Sequence, residues 1–120
     1  MTISQGMTYA LAAALVALSA RAAFAPRGAA LAFGVPVPEG ATPTPYLEVK
    51  ANRDLVLAAF LIIVASAGES ILALALFCGA IAPAADAFIV SRHGKLSGTA
   101  IHLSTVAYMI VAGALAASGR

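Results

Sequence analysis

At 120 residues the chain has the length of one small domain. Apolar residues make up 62% of it and charged residues only 10%, against about 45–50% and about 25% in ordinary soluble proteins. Together with a mean hydropathy of +0.96, that excludes a soluble globule, a disordered tail and a nucleic-acid binder, and leaves a protein whose solvent is lipid. The net charge of +2 matters less than where the charges lie, and the single cysteine, Cys78, allows no disulfide within the chain.

The first apolar stretch runs from Met7 to Ala25. Ala20-Arg21-Ala22 and Ala23-Phe24-Ala25 resemble signal-peptide cleavage sites, but no Lys or Arg precedes the apolar region and Pro26 follows at once, so the stretch is read as a retained transmembrane helix. Pro26 to Pro45 holds five of the six prolines and three glycines, and these breakers predict a loop over 26–46. Leu55–Ala67, Ile71–Val90 and Ile101–Ala117 complete the apolar set, joined by short polar turns. The pattern predicts an all-α integral membrane four-helix bundle in one domain, with spans near 5–25, 47–67, 70–91 and 98–118.

Length then singles out four residues. Crossing the hydrocarbon core takes about 20 helical residues, and Leu55–Ala67 can reach that only by drawing in Asn52, Arg53 and Asp54. The third span must count Asp86, and the fourth needs His102 near its start. Successive spans alternate in direction, so Arg21, Arg53, Asp54, Asp86 and His102 all fall at one membrane face. Six of the seven Lys and Arg lie on that side, which predicts that it is cytoplasmic and that both termini are outside.

Several polar residues have simple explanations. Arg21 sits near a helix end and can snorkel, or can join the cluster as a substrate-binding group. Lys50, Arg92, His93 and Lys95 are read as interfacial, and Glu69 as an acid suited to the positive end of a helix dipole. Tyr9 and Tyr46 fit interfacial belts, whereas Tyr108 is mid-helix and needs a hydrogen-bond partner inside. Arg53, Asp54, Asp86 and His102 are costly in lipid and call for compensation by pairing between helices. Arg53 is expected to reach Asp86 while Asp54 faces His102, or the reverse. Pro83 frees the carbonyl of Gly79 and could open a polar cavity beside Asp86. A static clasp and a functional cavity explain the cluster equally well. Gly113-x-x-x-Ala117 and Gly79-x-x-x-Pro83 offer small surfaces for close helix approach. No metal-ligand spacing, phosphate loop or serine-nucleophile motif is present.

Phe33-Gly34-Val35-Pro36, Lys50-Ala51-Asn52-Arg53-Asp54-Leu55, Asp86-Ala87-Phe88-Ile89-Val90, Gly94 and His102 together resemble the membrane family known as domain of unknown function 4267, itself distantly similar to DoxX-like four-helix proteins. The chain departs from the family pattern at Asn52 and Ala85, where glycine is usual. The resemblance implies a four-helix integral membrane protein, with some relatives accompanying secondary-metabolite pathways, and no established reaction.

The residues themselves support three functional expectations. The first is a membrane-embedded enzyme or binding protein for a lipophilic small molecule. Asp54, Asp86 and His102 would supply cofactor-free acid–base chemistry (isomerisation, cyclisation or hydrolysis), with Arg53, Arg21 and Tyr108 as substrate-binding groups. The second is a structural or accessory membrane subunit in which the cluster only locks the helices. The third is a small proton-coupled transporter, disfavoured because the first helix carries no carboxylate and the cluster lies off the midplane. The expected partners are the lipid bilayer and a lipophilic molecule, with a homo-oligomer compatible and no metal or cofactor required.

Overall fold

In the computed structural model, residues 1–41 and 45–120 are described, apart from the side chains of Pro45 and Tyr46. The interfacial reading of Tyr46 therefore lies outside the described residues. The chain is all-α: α1 (Ile3–Phe24), α2 (Pro26–Phe33), α3 (Pro45–Ala67), α4 (Glu69–Gly79), α5 (Ile81–His93) and α6 (Leu96–Ala117). Helices α4 and α5 follow each other as one long helical span, Glu69–His93, interrupted at Ala80, which keeps right-handed helical angles. The interruption falls one turn before Pro83, where the ring must avoid the carbonyl of Gly79 and cannot donate to it.

Three of these helices, α1, the Glu69–His93 span and α6, are long and apolar enough to cross a membrane, which suggests a multi-pass membrane protein. Their most apolar windows bury only 17%, 28% and 22% of their residues inside the protein. The outward faces, with Ile81, Phe88, Ile110 and Val111 exposed, therefore need an apolar surrounding. Helix α3 differs in one respect. Although it has 23 residues, every stretch of it long enough to qualify contains Lys50, Arg53 and Asp54.

Residues 26–33 correct the sequence expectation of a loop. Pro26 stands at the first position of α2, where its missing N–H and fixed φ favour a helix start, and the alanine-rich residues after it are good helix formers. Gly34 ends the helix at φ 101°, with Gly34 N–H and Val35 N–H both donating to the carbonyl of Ala30. Left-handed backbone of this kind is open to glycine at little cost. The proline and the glycine thus bracket a helix.

Helix α1 packs along α3, while α6 packs on α4 and α5. The shared core comprises Leu61, Val64, Leu72, Leu76 and Met109 among many alanines, such as Ala12, Ala58, Ala65 and Ala112. Small residues let backbones approach closely, which is how helices associate when the surrounding lipid is as apolar as leucine. Gly79 faces Met109, and Gly113 faces the ring of Phe77.

The two ends of the molecule differ in character. At one end, Thr2 caps α1 in a reciprocal pair with Gln5, a Thr-x-x-Gln capping box. Thr2 and Ser4 hydroxyls donate to the Glu69 carboxylate at 2.5 and 2.7 Å, and Ser4 N–H donates to the carbonyl of Arg120. Glu69 thus binds the start of α1 to the start of α4. The opposite end gathers the C-terminus of α1, all of α2, the start of α3 and the turn between α5 and α6.

Candidate functional site

At the second end, α2 lies over the turn joining α5 to α6 because three glycines leave room for it. A Cβ at Gly34 would stand 2.8 Å from Val90 Cγ1 and 2.9 Å from Gly98 Cα, and one at Gly94 would collide with the carbonyl of Gly34. Lys95 N–H donates to that same carbonyl at 3.0 Å. This contact sets Phe33 against α6. Its carbonyl lies 3.2 Å from His102 Nε2, and its ring meets the His102 ring edge-on with centroids 4.5 Å apart. Because a carbonyl can only accept, Nε2 is the donor in this bond.

The charged groups are arranged as a chain. Asp54, buried on α3, receives Lys50 Nζ at 2.5 Å from one turn earlier and has Arg53 Nε 3.7 Å away. Arg53, whose side chain is half exposed, reaches across to Asp86 on α5 at 3.1 Å. Lys50 also lies 4.9 Å from the centre of the Phe33 ring, a cation–π distance. From Asp86 to His102 the sequence of contacts therefore runs through Arg53, Asp54, Lys50 and Phe33. The expected contact between Asp54 and His102 is not formed. Asp54 pairs on its own helix at i−4, and His102 is taken by a backbone carbonyl that only the docking of α2 brings into reach.

Arg21 and Tyr108 stand apart from this chain. Arg21 is exposed on the last turn of α1, with its guanidinium beside Gly28, and among the described residues no hydrogen bond or ion pair joins it to the cluster. Tyr108 donates its hydroxyl to the carbonyl of Met7 at 2.9 Å, which supplies the internal partner that a mid-helix tyrosine needs.

Among the surface grooves, two lie near residues considered above. One, of about 420 Å³, runs between α1 and α6 and includes Tyr108 and Ser104. The other, of about 400 Å³, lies under α2. It is lined by Ala30 and Phe33, by the segment Val35–Pro38, and by Leu47, Ile89 and His93. Neither is lined by Asp54, Asp86 or His102. Among the described residues no group of three or more His, Cys, Asp and Glu side chains converges as metal ligands would.

Lys50, Phe33 and His93 hold positions that the sequence reading did not assign to them. For Lys50 the signal was present, because Lys50 and Asp54 have the i, i+4 spacing of a helical ion pair. For Phe33 and His93 no sequence signal existed, since their positions depend on how α2 docks.

The chain belongs to the family described as domain of unknown function (DUF4267), which matches residues 12–116. Comparison with curated proteins and with solved structures found no match.

Proposed function

We propose that the chain is a single-domain, four-pass integral membrane protein that binds a lipophilic small molecule in the groove under α2. In this reading α3 is the fourth span, its charged first turns compensated by the pairs that Arg53 makes with Asp54 and Asp86. The end holding six of the seven Lys and Arg faces the cytoplasm, and both termini lie outside. The ion pairs fix the helices in register, and the groove binds the ligand. One observation carries the assignment: an apolar groove of about 400 Å³, within the range of small-molecule sites, opens at the interfacial end and has His93 as the ionisable residue in its lining.

A second reading keeps the cluster for cofactor-free acid–base chemistry on the same ligand. What favours it is Nδ1 of His102, which among the described residues takes part in no hydrogen bond while Nε2 is held by Phe33. What weighs against it is that Asp54 and Asp86 already have cations for partners.

Photolabelling tests the binding reading. The protein in phosphatidylcholine nanodiscs would be exposed to a neutral, diazirine-bearing hydrocarbon, and the labelled peptides mapped by mass spectrometry. Saturable labelling of residues 30–38 and 89–93, competed by unlabelled probe and reduced by Ile89→Trp, is expected. Labelling that is non-saturable and even over all apolar faces would leave an accessory subunit as the better reading.

A further inference from the structure

The groove under α2 has an apolar wall but a charged rim. Arg27, in the first turn of α2, is exposed and spans the segment after the helix, donating from Nη1 to the carbonyl of Pro38 at 3.4 Å and from Nη2 to that of Ala41 at 2.5 Å. Both acceptor residues line the groove. Carbonyl dipoles orient a guanidinium without neutralising it, and no carboxylate among the described residues pairs with Arg27. Its charge is therefore held, uncompensated, at the groove's edge. From the other side His93, at the last position of α5, contributes the ionisable side chain of the lining. Arg92 is directed elsewhere, onto the ring of Phe88 at 5.4 Å, and the nearby acids Glu39 and Glu48 are exposed and outside the lining.

A neutral lipophile would use only the apolar wall. A molecule with an anionic head would use the rim as well, and the rim lies at the end of the spans, where the head of an amphiphile naturally sits. Guanidinium is matched to carboxylate and phosphate in geometry and charge. We propose that the groove takes an anionic amphiphile, a carboxylate or phosphate on a long apolar chain, with its chain along Ala30, Phe33 and Ile89 and its head at the rim formed by Arg27 and His93. This deepens the binding reading and rests on it.

The test uses three probes with one diazirine-bearing palmitoyl chain: the free acid, its methyl ester, and phosphatidylglycerol carrying that chain. Each is offered to the full chain in phosphatidylcholine nanodiscs. An anionic probe is expected to label residues 30–38 and 89–93 about tenfold more than the ester, the preference that a charge-assisted hydrogen bond supports. Arg27→Gln and His93→Gln should each lower that ratio while ester labelling persists, and Arg27→Lys should keep part of it. Preference for the free acid alone identifies a soluble lipophilic acid as the ligand. Preference for phosphatidylglycerol alone identifies a membrane lipid, and preference for both supports the shared chemistry. Equal saturable labelling by all three probes overturns the anionic head but leaves the groove as a binding site. Absence of saturable labelling by all three overturns the groove as well.

Discussion

Arg53 of α3 donates to the carboxylate of Asp86 on α5 at 3.1 Å, while the two helices make little other contact. The same guanidinium lies 3.7 Å from Asp54, whose other oxygen takes Lys50. One arginine thus joins a carboxylate of its own helix to one on a helix that α3 otherwise scarcely touches.

The coupling between these residues can be measured directly. Arg53→Met leaves Asp86 without its cation, whereas Asp86→Leu leaves Arg53 with Asp54. The double substitution should therefore be milder than the sum of the single ones, by about 0.5–3 kcal/mol, with the exposure of Arg53 favouring the lower part of that range. Unfolding of all three variants in detergent checks it, and strict additivity would show that the bridge contributes nothing.

The docking of α2 depends on absent side chains. A Cβ at Gly98 would stand 2.7 Å from Gly34 Cα and 2.8 Å from the carbonyl of Phe33, and both are backbone atoms that cannot swing aside. Gly98→Ala should destabilise by about 1–3 kcal/mol and increase hydrogen exchange over residues 26–34. Gly6→Ala is the control, since its Cβ would meet only the end of Met1 at 3.9 Å and alanine is the better helix former. Equal effects of the two substitutions would remove close approach as the explanation.

The all-α class, the long apolar stretches that form α1, Glu69–His93 and α6, and the meeting of Arg53 with Asp86 were legible in the sequence from apolar run length and alternation, whereas the four helices expected are six in the structure. A charge placed near the end of one span must find the charges at the matching ends of others. What was not legible followed from α2. Five prolines between Pro26 and Pro45 outweighed the signature of one short helix, Pro26 at its start and Gly34 after its end. With α2 unread, the carbonyl of Phe33 could not be foreseen as the partner of His102, for which the sequence offers Asp54 or an exchange of partners. The interfacial reading of Lys50 omits its pairing with Asp54, which is local.

Orientation in the membrane is open to a two-cysteine experiment. In a Cys78→Ser background, Ser97→Cys and Ser118→Cys place exposed thiols at opposite ends of α6. A membrane-impermeant maleimide applied to intact cells should label the position 118 variant and not the position 97 variant, because the lysine- and arginine-rich end faces inward. The reverse pattern would invert the topology, and labelling of both would break the four-pass arrangement.

The last prediction concerns His102, where a structural bond and a chemical role make different demands. Its Nε2 hydrogen satisfies the Phe33 carbonyl at 3.2 Å, and the ring also packs edge-on against Phe33. A purely structural role requires a donor of similar reach, so His102→Gln should retain most of the stability, whereas His102→Leu leaves that carbonyl without the bond and should cost about 1–3 kcal/mol. Acid–base chemistry instead requires a group that can take up and release a proton near neutral pH. Glutamine cannot do so, and a catalysed reaction should slow by about 10²–10⁴-fold in His102→Gln with the fold intact. Unfolding in detergent and turnover of the groove's ligand, measured on the same two variants, separate these roles. Normal turnover in His102→Gln would assign His102 to holding α2 in place. A stable, inactive His102→Gln would assign it to chemistry through Nδ1.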